Sequence, residues 1–238
     1  QTRESPRRRP GRVAIQQSEM PHRSRVLGIE TSCDETAASV VEGGVRVRSS
    51  VVASQEDLHA EYGGVVPEIA GRAHAERILP VVQKALAEAG VGYGDLDGVA
   101  VGHRPGLIGS LLVGVSAAKA IAWARGLPFI GVDHVQAHLY APFLDLDESA
   151  GVSIDHAYPA LGLAISGGHT TIYRCDSPTA LVRLGATIDD AVGEVYDKVA
   201  TILDLDYPGG PRIDRLAAQP GADDRAIDFP ISRLDKGT

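Results

Sequence analysis

Two histidines four residues apart, His134 and His138, are the residues whose type and spacing point most directly to chemistry. Asp133 before them can cap a helix, and Pro142 after them limits how far that helix runs. Helix residues at i and i+4 share one face, with Cβ atoms about 5–6 Å apart, so two neutral imidazoles there can bind one divalent metal ion. The alternative is a chance pair on a solvated surface. The apolar run 127–132 predicts a buried strand just before the pair, a position at which ligand sites of α/β proteins gather.

The pair differs from the zinc-protease motif H-E-x-x-H at the residue that does the hydrolysis. In that motif a glutamate directly follows the first histidine and acts as the general base. Here the next two residues are Val135 and Gln136. Neither side chain can take a proton from a metal-bound water. The sequence therefore predicts a metal site without a hydrolytic base.

The composition predicts a globular intracellular protein. With 238 residues, 44% of them hydrophobic, the chain can form one large domain or two smaller ones with a substantial core. Cys33 and Cys175 are too few for a disulfide framework, so we expect a reducing cytoplasm. No apolar run approaches about 18 residues, and we expect no membrane span.

The charge is unevenly distributed. Residues 1–25 hold seven Arg against two Glu, a net of +5, so with −8 overall the remaining residues carry −13. Residues 1–24 are polar and aperiodic and predict a disordered basic tail. Met20 is the only methionine; if it is the true start, residues 1–19 lie upstream. An acidic body binds a phosphate backbone poorly, so a nucleic-acid substrate would require basic surface from a partner or from a missing segment.

The first part of the chain predicts an α/β lobe that opens with a β-meander. Strands are predicted at 25–30, 37–41, 45–53 and 96–102, and a helix at 66–89 that Pro80 should kink or split. Residues 59–68 look like a surface loop. A Gly-, Ala- and Ser-rich helix ending near Arg125 follows loop 103–110, whose backbone N–H groups point above the sheet.

A second lobe is predicted after the acidic stretch 145–158. Its buried strand 160–165 leads through Ser166-Gly167-Gly168-His169-Thr170 to strands at 171–176 and near 180–184. Glycines let backbone N–H groups approach an anion, so this turn suits a phosphate, although a plain hairpin turn fits as well.

A predicted helix at 189–203 follows these strands. It would place Asp190, Glu194 and Asp197 on one face, where carboxylates usually form a solvated stripe. Residues 207–211 read as a rigid turn, and the next helix begins at Asp214.

Together these stretches resemble the tRNA N6-adenosine threonylcarbamoyltransferases (TsaD, Gcp), formerly called O-sialoglycoprotein endopeptidases. The resemblance covers about residues 26–238 and keeps the order and spacing of the family's motifs. These are 28–36 (GIETSCDET), 65–68 (VVPE), 105–114 (PGLIGSLLVG), the His134/His138 helix, 166–170 (SGGHT), 189–194 (DDAVGE), 197–198 (DK) and 207–211 (YPGGP).

The resemblance implies a fold, an activity and a set of site residues. The fold is α/β, the two-lobed actin/sugar-kinase/Hsp70-like (ASKHA) fold, with the first lobe at 25–150, an incomplete second lobe at 151–238 and a nucleotide between them. The activity moves a threonylcarbamoyl group from threonylcarbamoyl-AMP to N6 of the adenosine beside the tRNA anticodon. One divalent ion, Fe²⁺ or zinc, is bound by His134 and His138. Substrate contacts fall on Ala164, Ile165, Ser166, Gly167, Gly168, Asp197 and Gly210.

The resemblance also implies partners: tRNA, a paralogous subunit and an ATPase, in the cytoplasm and away from membranes. Beyond the metal and substrate ligands it assigns no catalytic residue, and the sequence shows no Ser-His-Asp set.

The chain departs from the family at two places. His103 and Arg104 precede Pro105 where many members have Gly-Pro-Gly, which adds bulk and charge to a tight loop. Family members continue with segments that carry an Asp metal ligand and a substrate-binding Asn, so we expect this chain to be C-terminally truncated and inactive alone. The alternative functions are a metalloendopeptidase, a non-catalytic partner subunit of the same complex, or a sugar kinase of the same fold.

Overall fold

A five-stranded mixed sheet forms the larger part of the structure, a computed structural model that describes residues 23–144, 157–223 and 225–228. Its order is β3-β2-β1-β4-β5. The strands are β1 (Arg25–Glu30), β2 (Glu35–Glu42), β3 (Arg46–Ser54), β4 (Gly98–Arg104) and β5 (Phe129–Asp133). The first three pair antiparallel, whereas β4 and β5 add in parallel to β1. The carboxyl ends of β1, β4 and β5 therefore meet at one edge of the sheet.

Two long helices, α2 (Pro67–Ala89) and α3 (Ile108–Arg125), pack beside this sheet. They bury its core, in which Leu27, Val82 and Ala118 are fully inaccessible. The predicted split of α2 at Pro80 is wrong, because the helix continues through it. Pro80 lies on the exposed side, while Ile78, Val81 and Val82 hold the turns around it to the core.

Helix α3 has the length and apolar composition of a membrane span, which the sequence had not led us to expect. It packs against β4 and α2, and Ala118 and Ala122 on it belong to the core cluster. These are the contacts of a core helix. Among the described helices it is the only one with that composition.

Part of the predicted loop 59–68 belongs to a short helix, α1 (Glu56–Ala60). His59 at its end is completely buried. Its Nε2 lies 3.3 Å from Gln55 Oε1, and its Nδ1 accepts a hydrogen bond from the Val66 N–H at 3.3 Å. The prediction of a surface loop is therefore wrong for His59, because its buried ring makes these two contacts in the interior of the segment.

Two strands that the sequence predicts as buried are partly exposed. Strand β5 ends the row of described strands, and Phe129 and Ile130 are 39% and 52% exposed. The other strand, β6, leaves Leu161 and Leu163 70% and 61% exposed. Apolar runs indicate strands, but they do not say which faces a neighbour covers.

The second sheet is a three-stranded antiparallel meander of β6 (Ala160–Ile165), β7 (Thr170–Cys175) and β8 (Leu181–Ala186). One face of it contributes Ala164, Tyr173 and Cys175 to a small core with Val135 from the first part of the chain. The two sheets are thus joined by apolar contact directly beside the histidine pair.

Helices α4 (His134–His138), α5 (Val192–Ile202) and α6 (Gly209–Ala217) complete the described structure. Helix α6 begins earlier than the predicted Asp214, because Gly209 lets it approach α5. A Cβ there would lie 2.5 Å from Ala200 Cβ and 2.7 Å from Tyr196 O.

The predicted α/β class is confirmed. The lobe boundary at residues 145–158 and the basic tail at residues 1–24 fall almost entirely outside the described residues and stay predictions.

Candidate active-site cleft

A cleft of about 980 Å³ lies between the two sheets. The first sheet contributes the β1–β2 turn, loop residues 63–65 and 105–107, and the His134/His138 pair. The second contributes residues 166–169 and parts of α5 and α6. Segments more than a hundred residues apart in sequence therefore meet in one cavity.

The histidine pair sits on α4 as its spacing predicts. Asp133 caps the helix by accepting a hydrogen bond from the Gln136 N–H at 3.2 Å. His134 and His138 face each other with their Nε2 atoms 3.1 Å apart and their rings at 85°. The predicted helix, cap and shared face are confirmed.

Glu30, at the carboxyl end of β1, contacts the first histidine. Its Oε2 lies 3.3 Å from His134 Nδ1, and Ser32 Oγ lies 3.3 Å from the same nitrogen. The hydrogen bond to Glu30 raises the pKa of His134 against the opposing effect of burial. Burial by itself raises the pKa of Glu30, but hydrogen bonds from His134 and Ser32 bring it below its usual value.

Sequence reasoning gave neither Glu30 nor Ser32 this role. The signal that could have found Glu30 is the parallel order of β1, β4 and β5, which brings the end of β1 to the end of β5.

The pair fits a divalent cation by the chemistry of its donors. Two nitrogen ligands about 2.0–2.1 Å from one ion lie roughly 3 Å apart, close to the Nε2 separation seen here. Burial lowers the pKa of His138, and the nearby His134 lowers it further. A lower pKa favours the neutral imidazole that a metal needs. Within the described ranges no set of three or more His, Cys, Asp or Glu side chains is arranged to hold a metal. These residues thus provide two protein ligands.

The β1–β2 turn, which forms the floor beside the pair, is fixed by buried polar contacts. Thr31 Oγ1 donates to Ser110 O at 2.8 Å. His74 is inaccessible to solvent, and its ring nitrogens lie 2.8 Å from Thr36 Oγ1 and 3.0 Å from Cys33 O. Burial lowers the pKa of His74, so the ring is neutral near pH 7.

Cys33 lines the cleft, with part of its surface open to solvent. Burial and then the neighbouring Asp34 raise the pKa of its thiol to about 12. The thiolate is the reactive form of cysteine. At neutral pH Cys33 therefore stays in the less reactive thiol form.

The opposite wall is the turn between β6 and β7. Ser166 N–H donates to His169 O at 2.7 Å, and His169 N–H donates to Ser166 Oγ at 3.0 Å, which closes the turn. A Cβ added at Gly167 or Gly168 would meet nothing within 4 Å. Both glycines line the cleft, and the side of each on which a side chain would stand is open.

The structure brings only some of the predicted substrate residues together. Ser166, Gly167, Gly168 and Asp197 line the cleft with the histidine pair. Ala164 is buried in the small core, and Ile165 is 56% exposed. In the described structure Gly209 lines the cleft, and its neighbour Gly210 does not. The assignment of these residues to a substrate stays a prediction.

The predicted carboxylate stripe is not formed as one face of the helix, although Asp190 and Glu194 are partly solvated. Asp190 precedes α5, and Lys198 Nζ lies 2.6 Å from its Oδ2 and 3.2 Å from Glu194 Oε1. Asp197 turns the other way and accepts the Gly209 N–H at 2.7 Å, at the start of α6. The three carboxylates thus have separate partners, because the helix begins two residues after Asp190.

The unusual His103-Arg104 pair lies beside the cleft and not among its lining residues. Arg104 Nε forms an ion pair with Asp133 Oδ2 at 3.2 Å, and His103 Nδ1 lies 3.0 Å from Val132 O. The added charge is therefore balanced by the residue that caps α4.

The cleft is strongly acidic. Its lining includes one basic side chain other than histidine, Lys198, against Glu30, Asp34, Glu35, Glu194, Asp197, Asp204 and Asp206. A phosphate-bearing ligand entering such a field needs a cation beside it. Among the described lining residues, the histidine pair offers two nitrogen ligands for such a cation.

Comparison with known proteins shows which family this chain is similar to. A family model described as tRNA N6-adenosine threonylcarbamoyltransferase matches residues 46–236. The protein of that name from Pelobacter propionicus is 58% identical over 199 residues, which cover 83% of this chain and 56% of the relative. That from Sorangium cellulosum is 59% identical over 199 residues, 82% of this chain and 56% of the relative. The matched region thus spans little more than half the length of these relatives.

Among solved structures, YeaZ from Pseudomonas aeruginosa matches 68% of this chain and 65% of its own. The identity is 20% and the TM-score is 0.44. A likeness this distant carries no argument about function.

Proposed function

This chain belongs to the tRNA N6-adenosine threonylcarbamoyltransferase family, and we propose that the protein transfers the threonylcarbamoyl group of threonylcarbamoyl-AMP to N6 of the adenosine beside the tRNA anticodon. The observation that supports this proposal most is the cleft itself. A histidine pair suited to a divalent cation on one wall faces an open Gly-Gly turn on the other. Bound cations and backbone N–H groups are both features that bind phosphate in proteins, and this cleft offers a place for each.

The proposed metal ligands are His134 and His138, with iron or zinc as the ion. A divalent cation bound there would act as a Lewis acid on the carbamoyl or phosphate oxygens. Glu30 holds the His134 ring through Nδ1, and Asp133 fixes the start of the helix that carries both rings. These residues set the position of the imidazoles before any ligand arrives.

The proposed phosphate site is the Ser166–Gly168 turn. The N–H groups of Gly167 and Gly168 and the Ser166 hydroxyl can donate to phosphate oxygens. Asp197 keeps one carboxylate oxygen on the Gly209 N–H, and the other can accept from a ribose hydroxyl. An amine attacking an activated acyl donor mainly needs positioning and charge stabilisation, and these groups supply both.

The metalloendopeptidase alternative gains nothing from the structure. Val135, at the position of the protease glutamate, is 5% exposed and packs in the core that joins the two sheets. It can neither act as a base nor be replaced by a carboxylate without burying a charge.

The partners we propose are tRNA, a paralogous subunit and an ATPase, in the cytoplasm. The net charge of −8 argues that basic surface for tRNA comes from outside these residues. In a reconstituted reaction with partner proteins, tRNA and threonylcarbamoyl-AMP, we expect t6A from the wild-type protein and little or none from the double variant His134→Ala/His138→Ala. Equal t6A yields would contradict that expectation.

Metal binding is tested on the purified protein by elemental analysis. We expect about one Fe or Zn per chain and its loss in the double variant His134→Ala/His138→Ala. His103→Ala is the matched control, because His103 lies outside the cleft. Equal metal content in the double variant and the wild type would disprove the assignment.

Adenylate binding is tested by calorimetry with AMP and ATP. Gly168→Val should lower the affinity at least tenfold, since its side chain enters open cleft space and leaves the fold intact. Gly109→Val also points into open space, away from the cleft, and should bind as the wild type does. Unchanged affinity in Gly168→Val would show that the phosphate lies elsewhere.

A further inference from the structure

We infer that Glu30 is a positioning residue for the histidine pair: it fixes the His134 ring so that the Nε2 lone pair faces His138, and Gly102 provides the space that this contact requires. The inference rests on the proposed function, since it concerns the same pair of metal ligands. It adds two residues from two strands to a site that the sequence placed on one short helix.

The contact spans the sheet across an intervening strand. Glu30 ends β1 and His134 follows β5, and β4 lies between these two strands. Ile29 pairs with Val101 and Gly102 pairs with Val132, so Gly102 stands on the line between the carboxylate and the imidazole. The Glu30 side chain must therefore cross the backbone of β4 at Gly102.

Gly102 is where a side chain would block that crossing. A Cβ built on it would clash with Glu30 Oε2 and lie 3.1 Å from Glu30 Cδ. Glycine is required here by close approach and not by backbone conformation. The other glycine of the same strand, Gly98, would place a Cβ no closer than 3.7 Å to its nearest neighbour, the Pro128 carbonyl oxygen.

The chemistry of the contact determines the tautomer of His134. A carboxylate only accepts hydrogen bonds, so the Nδ1 atom beside Glu30 carries a proton. When the ring is neutral, above its raised pKa, that proton is the only one on the ring and Nε2 keeps its lone pair. The Ser32 N–H donates to the other oxygen of Glu30, which holds the carboxylate in place. Metal-binding histidines commonly donate their second N–H to a carboxylate, and loss of that partner typically costs about 10–100-fold in metal affinity.

The test has one readout that needs no metal. Long-range ¹H–¹⁵N NMR of histidine-labelled, metal-free protein reports which nitrogen of His134 is protonated. We expect the Nδ1–H form in the wild type, a mixture in Glu30→Ala, and substantial recovery in Glu30→Gln, whose amide oxygen can still accept. Gly102→Ala should resemble Glu30→Ala, whereas Gly98→Ala, the matched control, should resemble the wild type.

The second readout is Co²⁺ binding by calorimetry. We expect Glu30→Ala and Gly102→Ala to bind Co²⁺ about 10–100-fold more weakly than the wild type, with Gly98→Ala unchanged. An unchanged His134 tautomer and unchanged Co²⁺ affinity in Glu30→Ala would overturn the inference. If the wild type bound no Co²⁺, the proposed metal site would fail, and the tautomer comparison would still decide the role of Glu30. Should Gly102→Ala not fold, the Glu30→Ala and Glu30→Gln pair decides alone.

Discussion

The two walls of the cleft differ in the size of the packed core that lies behind each of them. Behind the histidine wall lies a core closed by α2 and α3, and the β1–β2 turn is fixed by buried Thr31, Thr36 and His74. Behind the Gly-Gly wall lies a small core around Val135, and the other face of that sheet exposes Leu161 and Leu163. The comparison shows that the geometry of the histidine wall is fixed by a large core, whereas the geometry of the Gly-Gly wall depends on a few contacts with Val135 and α5.

The largest expected effect is on stability, and one substitution in each sheet tests the contrast between the two walls. Leu27 is 0% exposed in the first core, and Leu27→Ala should destabilise the protein by about 2–5 kcal/mol. Leu163 is 61% exposed on the second sheet, and Leu163→Ala should change stability by no more than about 0.5 kcal/mol. Urea unfolding followed by circular dichroism measures both. Similar losses in the two variants would remove the contrast.

A smaller effect on stability is expected from a change of pH, because His74 is buried behind the histidine wall. Its pKa is lowered by burial, whereas in the unfolded chain it is near 6.5. The unfolded state therefore binds more protons as the pH falls below that value, and stability drops by at most about 1.4 kcal/mol per pH unit until the folded-state pKa is passed. The measurement is the unfolding free energy between about pH 5 and 8.

The matched variants for this effect are His74→Gln and His103→Gln. Removing His74 removes the titrating group, so the stability curve of His74→Gln should be flatter than that of the wild type over this range. His103 is exposed, and its replacement should leave the curve unchanged. The raised pKa of His134 acts in the opposite sense and is common to all three proteins, so it cancels in the comparison. Parallel curves for His74→Gln and the wild type would show that His74 does not carry the effect.

The two residues of the Glu30–His134 contact show which parts of the site could be predicted from the sequence and which could not. Helix α4, its Asp133 cap and the shared face of the histidines follow from residues within one short stretch, and local rules predict them. Glu30 was missed because its role depends on β4 inserting between β1 and β5. The exposure of β5 and β6 was missed for the same reason, since covering elements are set by tertiary packing and not by the strand's own pattern.

The smallest effect on stability is expected at the start of α6, on the Gly-Gly side of the cleft. Asp197 accepts the Gly209 N–H there, so Asp197→Ala should cost about 0.5–2 kcal/mol, as the loss of a helix cap does. Asp197→Asn keeps an acceptor oxygen and should cost less. Amide hydrogen exchange across residues 209–217 gives the local measurement. Equal exchange in the Ala and Asn variants would show that the capping bond does not hold this helix.

One contact beneath the β1–β2 turn has a mechanical consequence. Thr31 bonds to the Ser110 carbonyl oxygen, and a Cβ at Gly114 would clash with Thr31 Oγ1, so the turn rests directly on the backbone of α3. A displacement of α3 at Ser110 or Gly114 would therefore also displace the floor of the cleft.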